Sequence, residues 1–238
     1  MSATTYPFKE NAYTVYSYAL CPYAQRAIRA FNIAKVPYVV EEIDLRNKPD
    51  WYHLVNPQLK VPALRTPDGT ILIESLVIAE FVADQFPEAE LLSTDATERA
   101  QLRLFIELFG TRISPFIYKS LTSAEVEDQK KAEESLLAGL RAVNDELEIQ
   151  WKRSSGKGGP FWYGDKFGFA EIALVSFVGL LDVVPRHYRG VTVPETEEYA
   201  AFNKWKTAFS QHPGFTDVKP EDATLIENYK KYVAETKH

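Results

Sequence analysis

YSYALCPYAQR, residues 16–26, is the stretch that decides the fold. An alternating aromatic run ends at Cys21, the only cysteine of the chain, and a helical pattern begins behind it. Pro22 suits the first position of a helix, because the N–H that proline lacks would have no partner there. From Ala24 onwards, apolar residues recur at i, i+3, i+4 and i+7, as on one face of an amphipathic helix. The stretch therefore predicts a strand followed by a helix, with Cys21 as the N-cap of that helix.

Cys21 thereby occupies a position where a sulfur can be chemically active. At a helix N-terminus a thiol lies near unpaired backbone N–H groups and the positive end of the helix dipole, which favour the thiolate. We therefore expect the pKa of Cys21 to be lowered and its sulfur to be reactive. The alternative is that Cys21 packs as a small buried hydrophobe, as many free cysteines do.

The composition is that of an ordinary globular protein, since 45% of the 238 residues are hydrophobic and 25% are charged. The net charge of −6 disfavours nucleic acids and anionic membranes as partners, because both attract basic surfaces. The chain starts without a signal-peptide pattern and its single cysteine cannot form an internal disulfide, so we expect a cytoplasmic protein. The longest apolar stretch, 172–184, is too short to cross a bilayer. The four histidines share no metal-ligand spacing, so no metal is expected.

Alternating and helical patterns divide the first half of the chain into seven elements. They are strands over 12–18, 37–45, 61–66 and 70–73, a helix over 22–34, a short helix over 49–56 and a helix from 75 to about 86. A helix that joins two strands at this spacing makes a crossover, so the first two strands should be parallel. The turn residues 67–69, Pro-Asp-Gly, predict an antiparallel hairpin for the last two strands. Ser75 is the predicted N-cap of the last helix.

The second half of the chain is predicted to be all helical. Helical patterns cover 97–118, 126–151, 194–212 and 221–237, a buried helix starts near Phe169, and a glycine-rich loop covers 152–160.

This order of elements resembles the thioredoxin-like domain of a glutathione transferase followed by the helical domain of that family. The resemblance to the omega class, and to its fungal type, rests on four motifs in the expected order: CPYAQR at 21–26, NKPDW at 47–51, VP at 61–62 and ES at 74–75. It implies a glutathione-binding domain over 1–87, a linker over 88–94 and an all-helical domain over 95–238 that carries the acceptor-substrate pocket. One departure is the start of the buried helix, where Gly168 and Glu171 replace the usual Ser or Thr and Asp of a capping box.

The resemblance implies glutathione as co-substrate and Cys21 as the catalytic residue. The implied glutathione-binding residues are Leu20, Pro22, Tyr23, Lys48, Val61, Pro62, Glu74 and Ser75. Glu74 would bind the γ-glutamyl ammonium, Ser75 the adjacent carboxylate and Lys48 the glycyl carboxylate.

A cis bond at Pro62 would present the Val61 backbone to the cysteinyl residue of glutathione. Arg26 could lower the pKa of Cys21, but a solvated arginine is the expectation. Each binding residue also has an ordinary structural interpretation as a helix cap, a surface charge or a core residue.

An apolar wall for the second substrate is expected in the helical domain. The candidate residues, which would equally suit a packed core, are Phe116, Tyr118, Phe202 and Trp205.

The function implied is that of a thiol transferase that removes glutathione from mixed disulfides and reduces dehydroascorbate-like electrophiles. Ala24 stands where a dithiol motif has its second cysteine, so the cycle would use Cys21 alone. The family further implies a homodimer and a role in detoxification.

Three other functions remain open at this stage. They are a glutathionyl-hydroquinone reductase, a ligandin-type carrier of hydrophobic or phenolic compounds, and a conjugating transferase that activates glutathione with the hydroxyl of Tyr13, Tyr16, Tyr18 or Ser17.

Overall fold

The computed structural model describes residues 5–153 and 159–237. The chain divides into two units between Leu92 and Ser93, inside the segment that the sequence marks as a linker. Each unit has its own secondary structure and its own buried core.

The first unit is a four-stranded mixed sheet with helices. Its elements are β1 (Tyr13–Ser17), α1 (Pro22–Ala34), β2 (Tyr38–Glu42), a 3-10 turn (Asp50–Leu54), β3 (Ala63–Arg65), β4 (Ile71–Ile73), α2 (Ser75–Gln85) and a second 3-10 turn (Pro87–Ala89). The strand order is β2-β1-β3-β4, with β1 and β2 parallel and the other pairs antiparallel. The predicted thioredoxin-like fold class is confirmed. The short helix expected over 49–56 is present as a 3-10 helix, Asp50–Leu54.

β1 is the strand that positions the site, because it is central and is covered on both faces. The Tyr13 ring lies 5.3 Å from the ring of Phe31 in α1. The Tyr16 ring points to the opposite face, since successive side chains of a strand alternate, and lies 6.1 Å from the ring of Tyr52. Val15 in the centre of β1 is fully buried. The packing therefore fixes the end of the strand at Ser17, and residues 18–21 lead from it to α1.

The second unit is helical in the described ranges. Its elements are α3 (Ala96–Arg112), α4 (Ser114–Thr122), α5 (Val126–Arg153), α6 (Phe169–Arg189), a 3-10 turn (Glu197–Tyr199), α7 (Ala200–Ser210), α8 (Pro213–Thr216), α9 (Asp222–Tyr229) and a last 3-10 turn (Lys230–Tyr232). The predicted all-helical C-terminal half is confirmed. No helix in the described part of the chain is long and apolar enough to span a membrane.

Several predicted boundaries in this unit are wrong. The single helix expected over 97–118 is two helices, because Pro115 lacks an N–H and its ring opposes a carbonyl of the preceding turn. The helix expected over 221–237 ends at Tyr229. Most of the predicted glycine-rich loop, 154–158, lies outside the described residues.

The start of α6 is organised by Glu171, which is fully buried. One carboxylate oxygen accepts a hydrogen bond from the Gly168 N–H at 2.9 Å. The other accepts from the Trp162 N–H and from the Trp205 indole N–H, each at 2.9 Å. Glutamate at this position therefore reaches back to the cap as aspartate would, and it also connects three segments of the core.

Candidate active site

Cys21 lies at the junction of β1 and α1, as the sequence predicts. It is the N-cap of α1, with extended torsion angles (φ −89°, ψ 117°) and Pro22 directly behind it. Its backbone carbonyl accepts the first helical hydrogen bond, from the Gln25 N–H at 3.1 Å. Its side chain is partly buried against the core beneath the sheet.

The electrostatic environment of the thiol differs from the expectation. Burial raises the pKa of Cys21 above its ordinary value, because a thiolate loses solvation in this position. The backbone N–H groups of Ala24 and Tyr23 and the charge of Arg26 act in the opposite direction but do not outweigh burial. The predicted lowered pKa is therefore wrong for the free protein. The N–H groups at the helix N-terminus offset only part of the desolvation cost that burial imposes on the thiolate.

A cavity of about 530 Å³ opens over Cys21 within the first unit. The lining residues are Cys21, Tyr23, Leu45, Lys48, Asn56, Leu59, Lys60, Val61, Pro62, Glu74 and Ser75. Leu20 and Pro22, the two other residues predicted for the site, do not line the cavity. Leu20 is half-buried in the turn before Cys21, and Pro22 is buried at the start of α1.

The segment before β3 forms one wall of the cavity. The Val61–Pro62 peptide bond is cis, as the family resemblance implies. The carbonyl of Lys60 accepts hydrogen bonds from the Tyr52 hydroxyl and from the Asn56 amide, each at 2.7 Å. Two buried side chains therefore fix the backbone that enters this wall.

Glu74 and Ser75 form the opposite part of the site, at the start of α2. Glu74 is exposed and occupies the N-cap with a positive φ of 69°, so the prediction of Ser75 as the cap is wrong. Ser75 is the first helical residue and is buried. Its hydroxyl accepts a hydrogen bond from the guanidinium of Arg26 at 3.1 Å. Arg26 is only 6% exposed, which contradicts the expected solvated side chain.

Sequence comparison agrees with this geometry. Residues 15–90 match the family model of the glutathione S-transferase N-terminal domain. A Caenorhabditis elegans protein named probable glutathione transferase omega-2 is 34% identical over 228 residues, which cover 92% of this chain and 85% of that protein. The chain belongs to the omega class of the glutathione transferase family.

Two further similar proteins support this family assignment. The crystal structure of glutathione transferase Omega 1C from Trametes versicolor is 28% identical, covers 96% of this chain and 100% of its own, and has a TM-score of 0.77. A rice protein named probable glutathione S-transferase DHAR1, cytosolic, is 29% identical over 175 residues, 74% of this chain and 73% of that protein.

The transferase has other residues at the cavity than those considered for the conjugating function. Among the described residues, the cavity lining includes none of Tyr13, Tyr16, Ser17 and Tyr18. The hydroxyl of Tyr16 donates to the carbonyl of Pro7 at 2.8 Å. No three potential metal-ligating side chains lie together in residues 5–153 and 159–237.

Two of the predicted acceptor-pocket residues of the transferase are core residues. Phe202 and Trp205 are fully buried, and the Trp205 ring lies 5.9 Å from that of Phe202 and 5.0 Å from that of Phe209. A ring without accessible surface cannot form the wall of a substrate pocket, so the prediction is wrong for these two. Phe116 and Tyr118 are half-buried on α4.

Four residues of the cavity were missed by sequence reasoning: Leu45, Asn56, Leu59 and Lys60. Lys60 directly precedes the VP motif and carries a charge, so its position next to Val61 could have identified it. Leu59 has a left-handed backbone (φ 55°), which its sequence does not signal.

Proposed function

We propose that this omega-class transferase carries glutathionyl groups on Cys21. The observation that supports the proposal is the position of the Cys21 sulfur in a cavity that also contains Lys48, Glu74 and Ser75. Ala24, which is fully buried, occupies the position on α1 where a dithiol motif has its second cysteine. With one cysteine in the sequence, the second thiol of the cycle has to be supplied by glutathione.

The cycle has two thiol–disulfide exchange steps. The Cys21 thiolate attacks the glutathione sulfur of a mixed disulfide, forms a Cys21–glutathione disulfide and releases the other thiol as its thiolate. The thiolate of a second glutathione then attacks the glutathione sulfur of that disulfide, which forms oxidised glutathione and returns the Cys21 thiolate. In sum, one mixed disulfide and one glutathione thiolate become the released thiolate and oxidised glutathione, and Cys21 returns to its starting state.

The cavity residues match the charges of glutathione. The exposed carboxylate of Glu74 would bind the α-ammonium of the γ-glutamyl residue. The hydroxyl of Ser75 and the N-terminus of α2 would bind the neighbouring α-carboxylate. Lys48 would bind the glycyl carboxylate, and the backbone of Val61 would pair with the cysteinyl residue.

The acceptors we propose are glutathionylated small molecules or proteins, together with dehydroascorbate-like electrophiles. An electrophile of this kind brings no glutathionyl group, so its two-electron reduction consumes two glutathione thiols and yields oxidised glutathione. Mixed disulfides suit the site because their glutathionyl half supplies the charges that it recognises. We further propose that the transferase acts as a homodimer in the cytoplasm. Sedimentation that shows only a monomer would contradict the first of these two statements.

A covalent glutathionyl adduct on Cys21 is expected for the proposed function but not for the conjugating or carrier functions. Incubation with oxidised glutathione should give a single glutathionyl adduct in the intact mass, and reduced glutathione should remove it. Peptide mapping should locate the adduct on Cys21, and Cys21→Ser should form none while it keeps the far-UV circular dichroism of the wild type. A wild-type protein that forms no adduct would refute the proposed mechanism.

A further inference from the structure

Arg26 is a buried charged residue of the first unit that has no role in the proposed cycle. Its side chain is 6% exposed, although taking a guanidinium out of water is costly unless it finds compensating partners. One of these partners is the hydroxyl of Ser75, 3.1 Å from Nη1, in a different helix and 49 positions further along the chain. The contact joins α1, whose N-cap is Cys21, to α2, whose first residue, Ser75, lines the cavity.

The direction of this hydrogen bond determines what Ser75 can do. A hydroxyl has one proton to donate and two lone pairs to accept with. Because Arg26 donates to the oxygen of Ser75, the proton of Ser75 remains available for an acceptor. A carboxylate at the start of α2 is an acceptor of the right charge, and a charge-assisted bond of this kind is stronger than a neutral one.

The same guanidinium acts on the other side of the site. Its charge favours the thiolate of Cys21 and opposes the effect of burial on that pKa. Its central carbon lies 5.3 Å from the ring centroid of Tyr23, which lines the cavity. A buried charge is screened by salt much less than an exposed one, so its effect on the sulfur persists at physiological ionic strength.

We propose that Arg26 is a positioning residue that orients the Ser75 hydroxyl towards the γ-glutamyl carboxylate and supplies positive charge to the Cys21 sulfur. The identity of the carboxylate rests on the proposed function. Other titratable groups also face this site: Lys48, Lys60 and Glu74 line the cavity, and Tyr52 packs in the same core as Cys21. Arg26 differs from the cavity lysines in that it is buried and contacts Ser75 directly.

The test compares Arg26→Met and Arg26→Lys with Arg29→Lys as the matched control. Arg29 is a fully buried arginine on the same helix, and its guanidinium lies 3.4 Å from the Gln25 amide oxygen. Two quantities are measured for each folded variant. One is the affinity for γ-glutamyl-alanyl-glycine, a glutathione analogue without a thiol, by calorimetry. The other is the pH midpoint for alkylation of Cys21 by iodoacetamide without glutathione.

Arg26→Met should weaken binding of the analogue about tenfold, as expected for loss of one charge-assisted contact. It should also raise the alkylation midpoint by about one pH unit. Arg26→Lys keeps the charge but loses the planar guanidinium, so it should weaken binding about threefold and leave the midpoint within about 0.3 unit. Arg29→Lys should change neither quantity.

Three results would overturn the inference. The first is a folded Arg26→Met with both quantities at wild-type values. The second, which decides the question if Arg26→Met does not fold, is Arg26→Lys with wild-type affinity. The third concerns a Ser75→Ala background, in which Arg26→Lys should no longer weaken binding of the analogue; an undiminished loss of affinity there would contradict the role of Ser75. A wild type that forms no glutathionyl adduct would refute the proposed cycle. The alkylation midpoint is measured without glutathione, so it tests the role of Arg26 even in that case.

Discussion

Replacement of Glu171 tests how the second unit is held together. Its carboxylate accepts three hydrogen bonds, from the N–H groups of Trp162 and Gly168 and from the indole N–H of Trp205. Glu171 and both tryptophans are at most 1% exposed, so water does not readily replace a lost acceptor. Glu171→Ala removes all three acceptor contacts. Glu171→Gln keeps the shape of the side chain but offers only one acceptor oxygen.

The expected magnitudes follow from the donors left without a partner. Each buried donor that loses its acceptor costs about 1–3 kcal/mol, so Glu171→Ala should reduce the free energy of unfolding by about 4 kcal/mol after some local relaxation. In Glu171→Gln the amide oxygen can keep the two tryptophan contacts, while the amide NH2 then faces the Gly168 N–H. One lost contact and one unfavourable donor pair predict a loss of about 2 kcal/mol.

Urea unfolding followed by tryptophan fluorescence measures both losses, because the two contacting tryptophans report on this core. Glu134→Gln on the exposed face of α5 is the control and should lie within about 0.5 kcal/mol of the wild type. The reasoning is refuted if Glu171→Ala unfolds within about 1 kcal/mol of the wild type, or if Glu171→Gln is the less stable of the two.

Three further predictions concern the thiol, the cavity and a histidine. Because burial raises the pKa of Cys21, its alkylation rate should still be rising above pH ~8.5, the ordinary thiol value, and a plateau below neutral pH would contradict this. Lys48→Ala should weaken binding of the thiol-free analogue about tenfold in calorimetry, because it removes the contact with the glycyl carboxylate. Lys119→Ala, on the exposed surface of α4, is the control and should bind like the wild type. Equal affinities of the two variants would exclude this role of Lys48. Burial lowers the pKa of His212, and the neutral ring accepts a hydrogen bond at Nδ1 from the Gly214 N–H at 3.0 Å. The stabilisation by neutral His212 is therefore complete above pH ~6.5, the pKa of the unfolded state, and is lost as the pH falls towards the lowered pKa. His212→Asn keeps a cap acceptor without this titration, so urea unfolding between pH 7.5 and 5 should show a smaller pH dependence than in the wild type, and an identical dependence would contradict the assignment.

The elements predicted correctly are those that local chemistry specifies. Pro22 and the helical spacing behind it place the start of α1 at the observed residue. The turn over 67–69 joins β3 and β4 because Gly69 takes a positive φ of 93° without the cost a side chain would impose. Such features involve residues only a few positions apart, so a single sequence contains the information needed.

The errors occur where tertiary packing overrides a local pattern. Phe202 and Trp205 follow the same helical spacing whether they face a pocket or a core. Packing against rings of other segments, such as Phe105 against Trp205, decides that they are core residues. The helix interruption before α4 has a different cause, because it has a local signal. Pro115 indicates a helix boundary by itself, although the apolar pattern continues across it.

The pKa of Cys21 depends both on groups nearby in the sequence and on tertiary packing by distant residues. The groups that favour the thiolate are the N–H groups of Tyr23 and Ala24 and the charge of Arg26, all within five positions of the sulfur, so the sequence indicates them. The group of residues that buries the sulfur includes Tyr52 and Val61, which are more than thirty positions away. Local reasoning therefore counts every stabilising contact of the thiolate and omits its desolvation. The same omission made Arg26 look solvated, since its partner Ser75 is 49 positions away. Solvent can replace the charge of the buried Arg26 only poorly, so removal of that charge should raise the pKa of Cys21 further.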